Sequence, residues 1–421
     1  MIENESIPIV RGLKLRPQPV GIFAPPVSFL LLPDRPDRTA AEELLAGNQQ
    51  VPLQEEWRFY RLALQGRFDA AAELIAADPT PIGQFNRFVL APSRESYLTL
   101  RTALPSTMEP LLDAVAYASG LRETAPEPEA CSAAGLDREL LAMVLAVRAS
   151  FEIEQEKTAA ATELLASAAE QVRDSSPLFA AQLLYQLALL DSETRPQLAI
   201  TRLREAIRLA GNSPLETLRA ELWLHLGMLL QELAAGRREL LTEAVKAYQE
   251  AIRAGLSLES SPDAYALAHN NLALAYLAMP MRESSDQLRM GIAVQSLREA
   301  LKVYRRETHP EKWSATQLNL ANALQYLPSA HPEENLVQAV ELYEEVLAVR
   351  NKAADPVGYG RLLANQANAL AHLGLFAPAL EKINEAYKLF HWHNEPEMAA
   401  AVLESVAHIN DCLGAQETAK S

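Results

Sequence analysis

The sequence predicts an all-α protein, an α-solenoid of stacked helix–turn–helix units behind a proline-rich extended arm. Three observations predict it. First, a small–large–small triplet with offsets of four and three recurs six times: Ala161-Leu165-Ala168, Ala199-Leu203-Ala206, Ala244-Tyr248-Ala251, Ala293-Leu297-Ala300, Ala339-Tyr343-Val346 and Ala379-Ile383-Ala386. These offsets put the three side chains on one helical face, where small residues let a neighbouring helix approach and the large one fills the groove between. Second, from 136 to 415 one helical stretch follows another, with proline at or just after most breaks, as in SLESSP (257–262), SAHP (329–332) and KAADP (352–356). Proline fits the first turn of a helix and cannot sit in its interior. Third, no run alternates polar and apolar residues for long enough to make a sheet.

Taken in order, residues 1–40 carry seven prolines, and PVGIFAPPVSFLLLPDRP cannot be a regular helix. Phe23, Val27, Phe29, Leu30 and Leu31 are too apolar for a free linker. Two readings stay open: an arm packed on the body, with a short strand, or a docking arm for a partner or second subunit, which would make an arm-mediated dimer. Residues 41–122 form an irregular helical region with one weak, repeat-like helix pair at 50–80, turning at Gln65-Gly66-Arg67. The polar, proline-containing stretch 123–135 reads as a linker and internal boundary. The solenoid occupies 136–415, and 416–421 reads as a disordered tail.

Composition bounds the function. The chain has 421 residues and is 49% hydrophobic, rich in Leu and Ala, with a net charge of −16. That charge argues against binding nucleic acid, whose phosphates require clustered Lys and Arg, and against an anionic membrane surface. The acidic start MIENESIPIV is unlike a signal peptide, and the apolar piece Val20–Leu32 is interrupted by Pro25 and Pro26. Cys131 and Cys412, 281 positions apart, read as separate packing thiols. A cytoplasmic, acidic protein is expected.

The last members of successive triplets lie 38, 45, 49, 46 and 40 residues apart. The paired first helices carry Leu226-Gly227, Leu272-Ala273 with Tyr276, Leu320-Ala321 with Leu324, and Ala367 with Leu370. The sequence thereby resembles the tetratricopeptide repeat (TPR) family, in a variant with extended helices and turns. Ala367 and Ala379 are 12 residues apart, but the middle units are longer: Gly227 to Ala244 spans 17, Ala273 to Ala293 spans 20 and Ala321 to Ala339 spans 18. The added residues ELAAGRREL, MPMRESSDQLRM and PSAHPEEN lengthen the turn within each unit. A HEAT-type solenoid accounts less well for so regular a triplet.

The resemblance implies that the first helices line a concave binding face. Two positions before the small residue of each first helix, the side chain points into that groove: Gln186, His225, Asn271, Asn319 and Asn365. Asn322 and Asn368, three further along, lie on the same stripe. Asn is a poor interior helix former, and its amide both donates and accepts, so a column of amides can grip the backbone of an extended peptide. Several peptide-binding tetratricopeptide proteins use such a ladder, and the resemblance implies that role here; amides capping interhelical contacts are the plainer alternative. Arg361 is the cation placed on the last unit's groove, and no basic pair for a C-terminal carboxylate is evident.

No catalytic residue and no metal ligand is assigned. His391-Trp392-His393 reads as a surface aromatic cluster, because histidines at i and i+2 on a helix point apart. Glycine-rich phosphate loops, GxSxG and HExxH are absent, and no cofactor is expected. Glu333, Glu334, Glu341, Glu344 and Glu345 make either a solvated outer face or an acidic surface for a basic partner. The expectation is a non-enzymatic protein–protein scaffold or adaptor that binds a peptide segment or a folded partner surface in the groove. A structural subunit with an unused groove, and an enzyme subunit with a site in 1–125, are the alternatives.

Overall fold

The computed structural model describes residues 18–33, 38–280 and 286–420. Among them are twenty α-helices and one ribbon of two short strands. Pro8, Pro17 and Pro36 of the arm lie outside the described residues. Two compact units divide at Leu229/Leu230.

In the first unit, β1 (Gln18–Pro19) pairs antiparallel with β2 (Leu31–Leu32), Gln18 opposite Leu32. Between them lies a turn with a cis Pro25–Pro26 peptide and a 3₁₀ turn at Val27–Phe29. The described part of the arm is packed on the body. Leu30, Leu31 and Leu32 are at most 1% exposed, and Phe23, Val27 and Phe29 are buried. Seven shorter helices follow: α1 (Arg38–Leu45), α2 (Arg58–Leu64), α3 (Phe68–Leu74), α4 (Pro81–Leu90), α5 (Arg94–Ala103), α6 (Glu109–Ala118) and α7 (Pro128–Ala134). The weak pair at 50–80 is α2 and α3, which pack on each other.

The stretch 123–135 differs from the expected linker. Pro128 opens α7, and Ala125 and Cys131 are buried against the fold. Burial pushes the Cys131 thiol up to about 11. A seven-residue helix of small and polar side chains has too few turns to show a periodicity in the sequence. Cys131 and Cys412 are both free thiols.

The long helices begin with α8 (Arg138–Glu154), paired with α9 (Thr158–Val172), and continue with α10 (Pro177–Asp191) and α11 (Pro196–Ala210). α12 (Glu216–Glu232) carries the division between the units. In the second unit come α13 (Arg238–Arg253), α14 (Pro262–Leu277), α15 (Asp286–Leu301), α16 (Pro310–Gln325), α17 (Pro332–Leu347), α18 (Pro356–His372), α19 (Phe376–Trp392) and α20 (Pro396–Lys420). Consecutive helices pack as antiparallel pairs: α14 on α15, α16 on α17, α18 on α19. Successive first helices α14, α16, α18 and α20 also touch one another. The fold is an α-solenoid of tetratricopeptide-like units.

Every member of the six triplets is at most 1% exposed. The alanines bring helix axes together and the Leu, Tyr or Ile between them fills the space, so the packing tolerates little change in volume. Proline occupies the first turn of α10, α11, α14, α16, α17 and α18, where a backbone N–H has no intrahelical acceptor. The middle units have longer turns within the pair, 233–237 and 326–331 against 373–375 in the last. Their connections to the next unit are long as well, at 254–261, 302–309 and 348–355. α20 runs on to Lys420, so helix occupies 416–420 where a disordered tail was expected.

Candidate functional site

The predicted groove residues fall into two settings, one in each unit. In the second unit the amides lie on α14, α16 and α18. Asn365 donates from Nδ2 to Asn322 Oδ1 at 3.1 Å, across the contact between α18 and α16. The same Asn322 oxygen accepts from the Tyr343 hydroxyl at 2.6 Å, and that hydroxyl also lies 3.2 Å from Gln325 Oε1. Tyr343 is the large member of its triplet, fully buried, with its phenol pKa pushed up by burial. The arrangement repeats two helix pairs earlier. The Tyr248 hydroxyl donates to Gln231 Oε1 at 2.7 Å and is hydrogen-bonded by Asn271. Asn271 also accepts from Asn270 Nδ2 at 3.3 Å, and Asn270 accepts from the Thr316 hydroxyl at 3.3 Å.

A rule emerges. Asn271 and Asn365 each follow a unit whose triplet has tyrosine at its centre, and both belong to networks anchored on that buried hydroxyl. Asn319 follows Leu297, which has none, and among the described residues Asn319 has no hydrogen-bond partner. Asn368, on the stripe beyond Asn365, has none either. Both side chains are half-buried, so their amides keep contact with solvent. Arg361 is exposed, its Nε donating to Met398 Sδ of α20 at 3.4 Å. His391 stacks on Tyr387, and Trp392 beside it is 72% exposed.

In the first unit the chain's own arm packs on α8 and α10. Met143, Ala146, Val147 and Ser150 of α8, with Phe179, Gln182 and Leu183 of α10, lie against the arm's turn at 21–29. Two amides hold the arm by its backbone. Asn86 of α4 accepts from Leu31 N–H and donates to Leu31 C=O, both at 2.8 Å, closing the pairing that a neighbouring strand would make. The Tyr60 hydroxyl adds a second bond to that carbonyl at 2.5 Å. Gln182, with its nitrogen turned toward the arm, donates to the carbonyls of Gly21 at 3.3 Å and Ile22 at 3.2 Å. Gly21 has φ +66°, and a Cβ there would sit 3.1 Å from the Phe179 ring, so backbone conformation and close approach both require glycine.

Beyond the arm, α10, the start of α12 and the turn at 47–50 enclose a cleft of about 840 Å³. Gln186 lines it, and His225 stands behind, its Nδ1 3.0 Å from the Tyr185 hydroxyl and 3.0 Å from the Glu221 carbonyl oxygen. Neither belongs to the amide stripe of the second unit. Gln182, Tyr185 and Glu221 escaped the sequence reading. Two of them carried a signal: Gln182 lies four residues before Gln186 and Glu221 four before His225, on the same helical stripe.

Among the described residues no three His, Cys, Asp or Glu converge on a common point, and no helix is long and apolar enough to cross a membrane.

No protein-family model matches the chain, and no curated protein does. Among solved structures the chain is similar to the apo form of RapI, with 10% identity over 86% of this chain and 97% of that one, at a TM-score of 0.44. It is similar to aspartyl phosphate phosphatase F from Bacillus subtilis, with 11% identity over 85% and 93% at a TM-score of 0.38. It is also similar to the P58(IPK) TPR domain, with 16% identity over 90% and 94% at a TM-score of 0.27. Likenesses this distant carry no functional argument.

Proposed function

We propose that this chain is a non-catalytic interaction scaffold that binds an extended segment of a partner protein along α14, α16 and α18. One observation carries the reading: Asn319 and Asn368 present amides with no partner in the described chain, on the stripe where Asn322 and Asn365 hold each other. A primary amide left in partial contact with water can exchange that water for a peptide N–H and C=O at little cost. The chain's own arm supplies a precedent, since Asn86 grips Leu31 in that way. The net charge of −16 disfavours nucleic acid as the partner. Two unpaired thiols fit a reducing compartment, which is our reason for placing the protein in the cytoplasm.

The test is capture from the native source. The double variant Asn319→Ala/Asn368→Ala should lose its co-purifying partners, while its thermal midpoint stays near wild type because neither amide is engaged within the fold. An unchanged set of partners would remove the ladder from consideration and favour a structural subunit held through other surfaces.

A further inference from the structure

We infer that the cleft between the arm, α10 and α12 is a receptor for a cationic side chain, Lys or Arg, presented by a peptide. The cleft's volume of about 840 Å³ accommodates a side chain with its flanking backbone. No Lys, Arg or His is among its lining residues. Its ionisable groups are Glu216 at the rim, Glu221 and the Tyr185 hydroxyl. Amides of Asn48, Gln49 and Gln186 stand around them.

Glu221 decides the ligand's charge. Its side chain is half-buried, lines the cleft and has no hydrogen-bond or ion-pair partner among the described residues. Burial holds its carboxyl above the usual carboxylate range, with His225 opposing the shift. A desolvated carboxylate without a partner is unfavourable until a cation meets it. Tyr185 lines the same cleft as Glu221, and its hydroxyl is tied to His225. The site therefore holds a preformed acceptor, with the Gln49 and Gln186 amides also lining the cleft. A neutral donor could hydrogen-bond Glu221 but would leave its charge uncompensated, and an anion would be repelled. This inference stands on the first unit alone and does not depend on the amide stripe of α14–α18.

The full chain is titrated calorimetrically with acetyl-Gly-Gly-Arg-Gly-Gly-amide and with the same peptide carrying citrulline, the uncharged near-isostere of arginine. The arginine peptide should bind about tenfold more tightly or better. Glu221→Gln should erase that preference, whereas Glu193→Gln, an exposed carboxylate outside the cleft, should keep it. Leu189→Trp, which narrows the cleft without touching charge, should weaken binding of both peptides. Equal binding of the two peptides, no binding of the arginine peptide, or a preference that survives Glu221→Gln would each overturn the assignment. The last outcome would attribute binding to the diffuse negative surface.

Discussion

Both units present side-chain amides to an extended segment or to solvent, and the amides meet different fates. In the first unit the arm packs on α8 and α10, with its backbone held by Asn86 and Gln182. In the second, the amides of α16 and α18 bond partly to each other and partly to nothing in the described chain. The difference teaches that one chemistry serves two ends. An amide clamp becomes internal architecture where a segment of the same chain reaches it, and a candidate receptor where none does.

The comparison breaks most visibly if the arm is removed. Deleting residues 1–33 strips Phe23, Val27, Phe29 and Leu30–Leu32 from the core. At about 1.5–3 kcal/mol for each large apolar side chain, the loss is on the order of a whole domain's stability. Hydrogen exchange should show protection collapsing in α2–α8 and persisting in α14–α19, because solenoid stability is carried by nearest neighbours. Retained protection in α2–α8 would make the arm an accessory.

A smaller effect tests the clamp itself. Asn86→Ala leaves the buried Leu31 N–H without its acceptor and the Leu31 carbonyl with only Tyr60. An orphaned buried group costs about 1–3 kcal/mol, and denaturant unfolding should show a loss of about 3 kcal/mol in the first unit's transition. Smaller still, Tyr343→Phe removes the hydroxyl bonded to Asn322 and near Gln325 while keeping the ring in its groove. A loss of about 1 kcal/mol is expected. A change below a few tenths would mean that the tyrosine is needed only for its volume.

Much of this was legible residue by residue. Ala339, Tyr343 and Val346 announce a buried helix face because offsets of four and three are a local property of the helix, independent of what packs on it. Pro310, Pro332 and Pro356 announce helix starts for an equally local reason. The setting of each asparagine was half legible. Tyr248 and Tyr343 against Leu297 at the triplet centre tells which amide has a hydroxyl to meet, once the helices are known to touch. Gln186 and His225 read as ladder members because their spacing is right, yet the arm and the 47–50 turn convert their surroundings into a cleft.

The sequence by itself determined the helical hairpins, their packing triplets and the acidic, proline-punctuated character of the chain, since these follow from side-chain volume, helix periodicity and charge. Only the tertiary structure decided where the arm goes and which amides are left unpaired. Asn86 and Leu31 are 55 residues apart, and Asn365 and Asn322 are 43. Pairings over such separations are selected by the whole packed arrangement, and no local pattern encodes them.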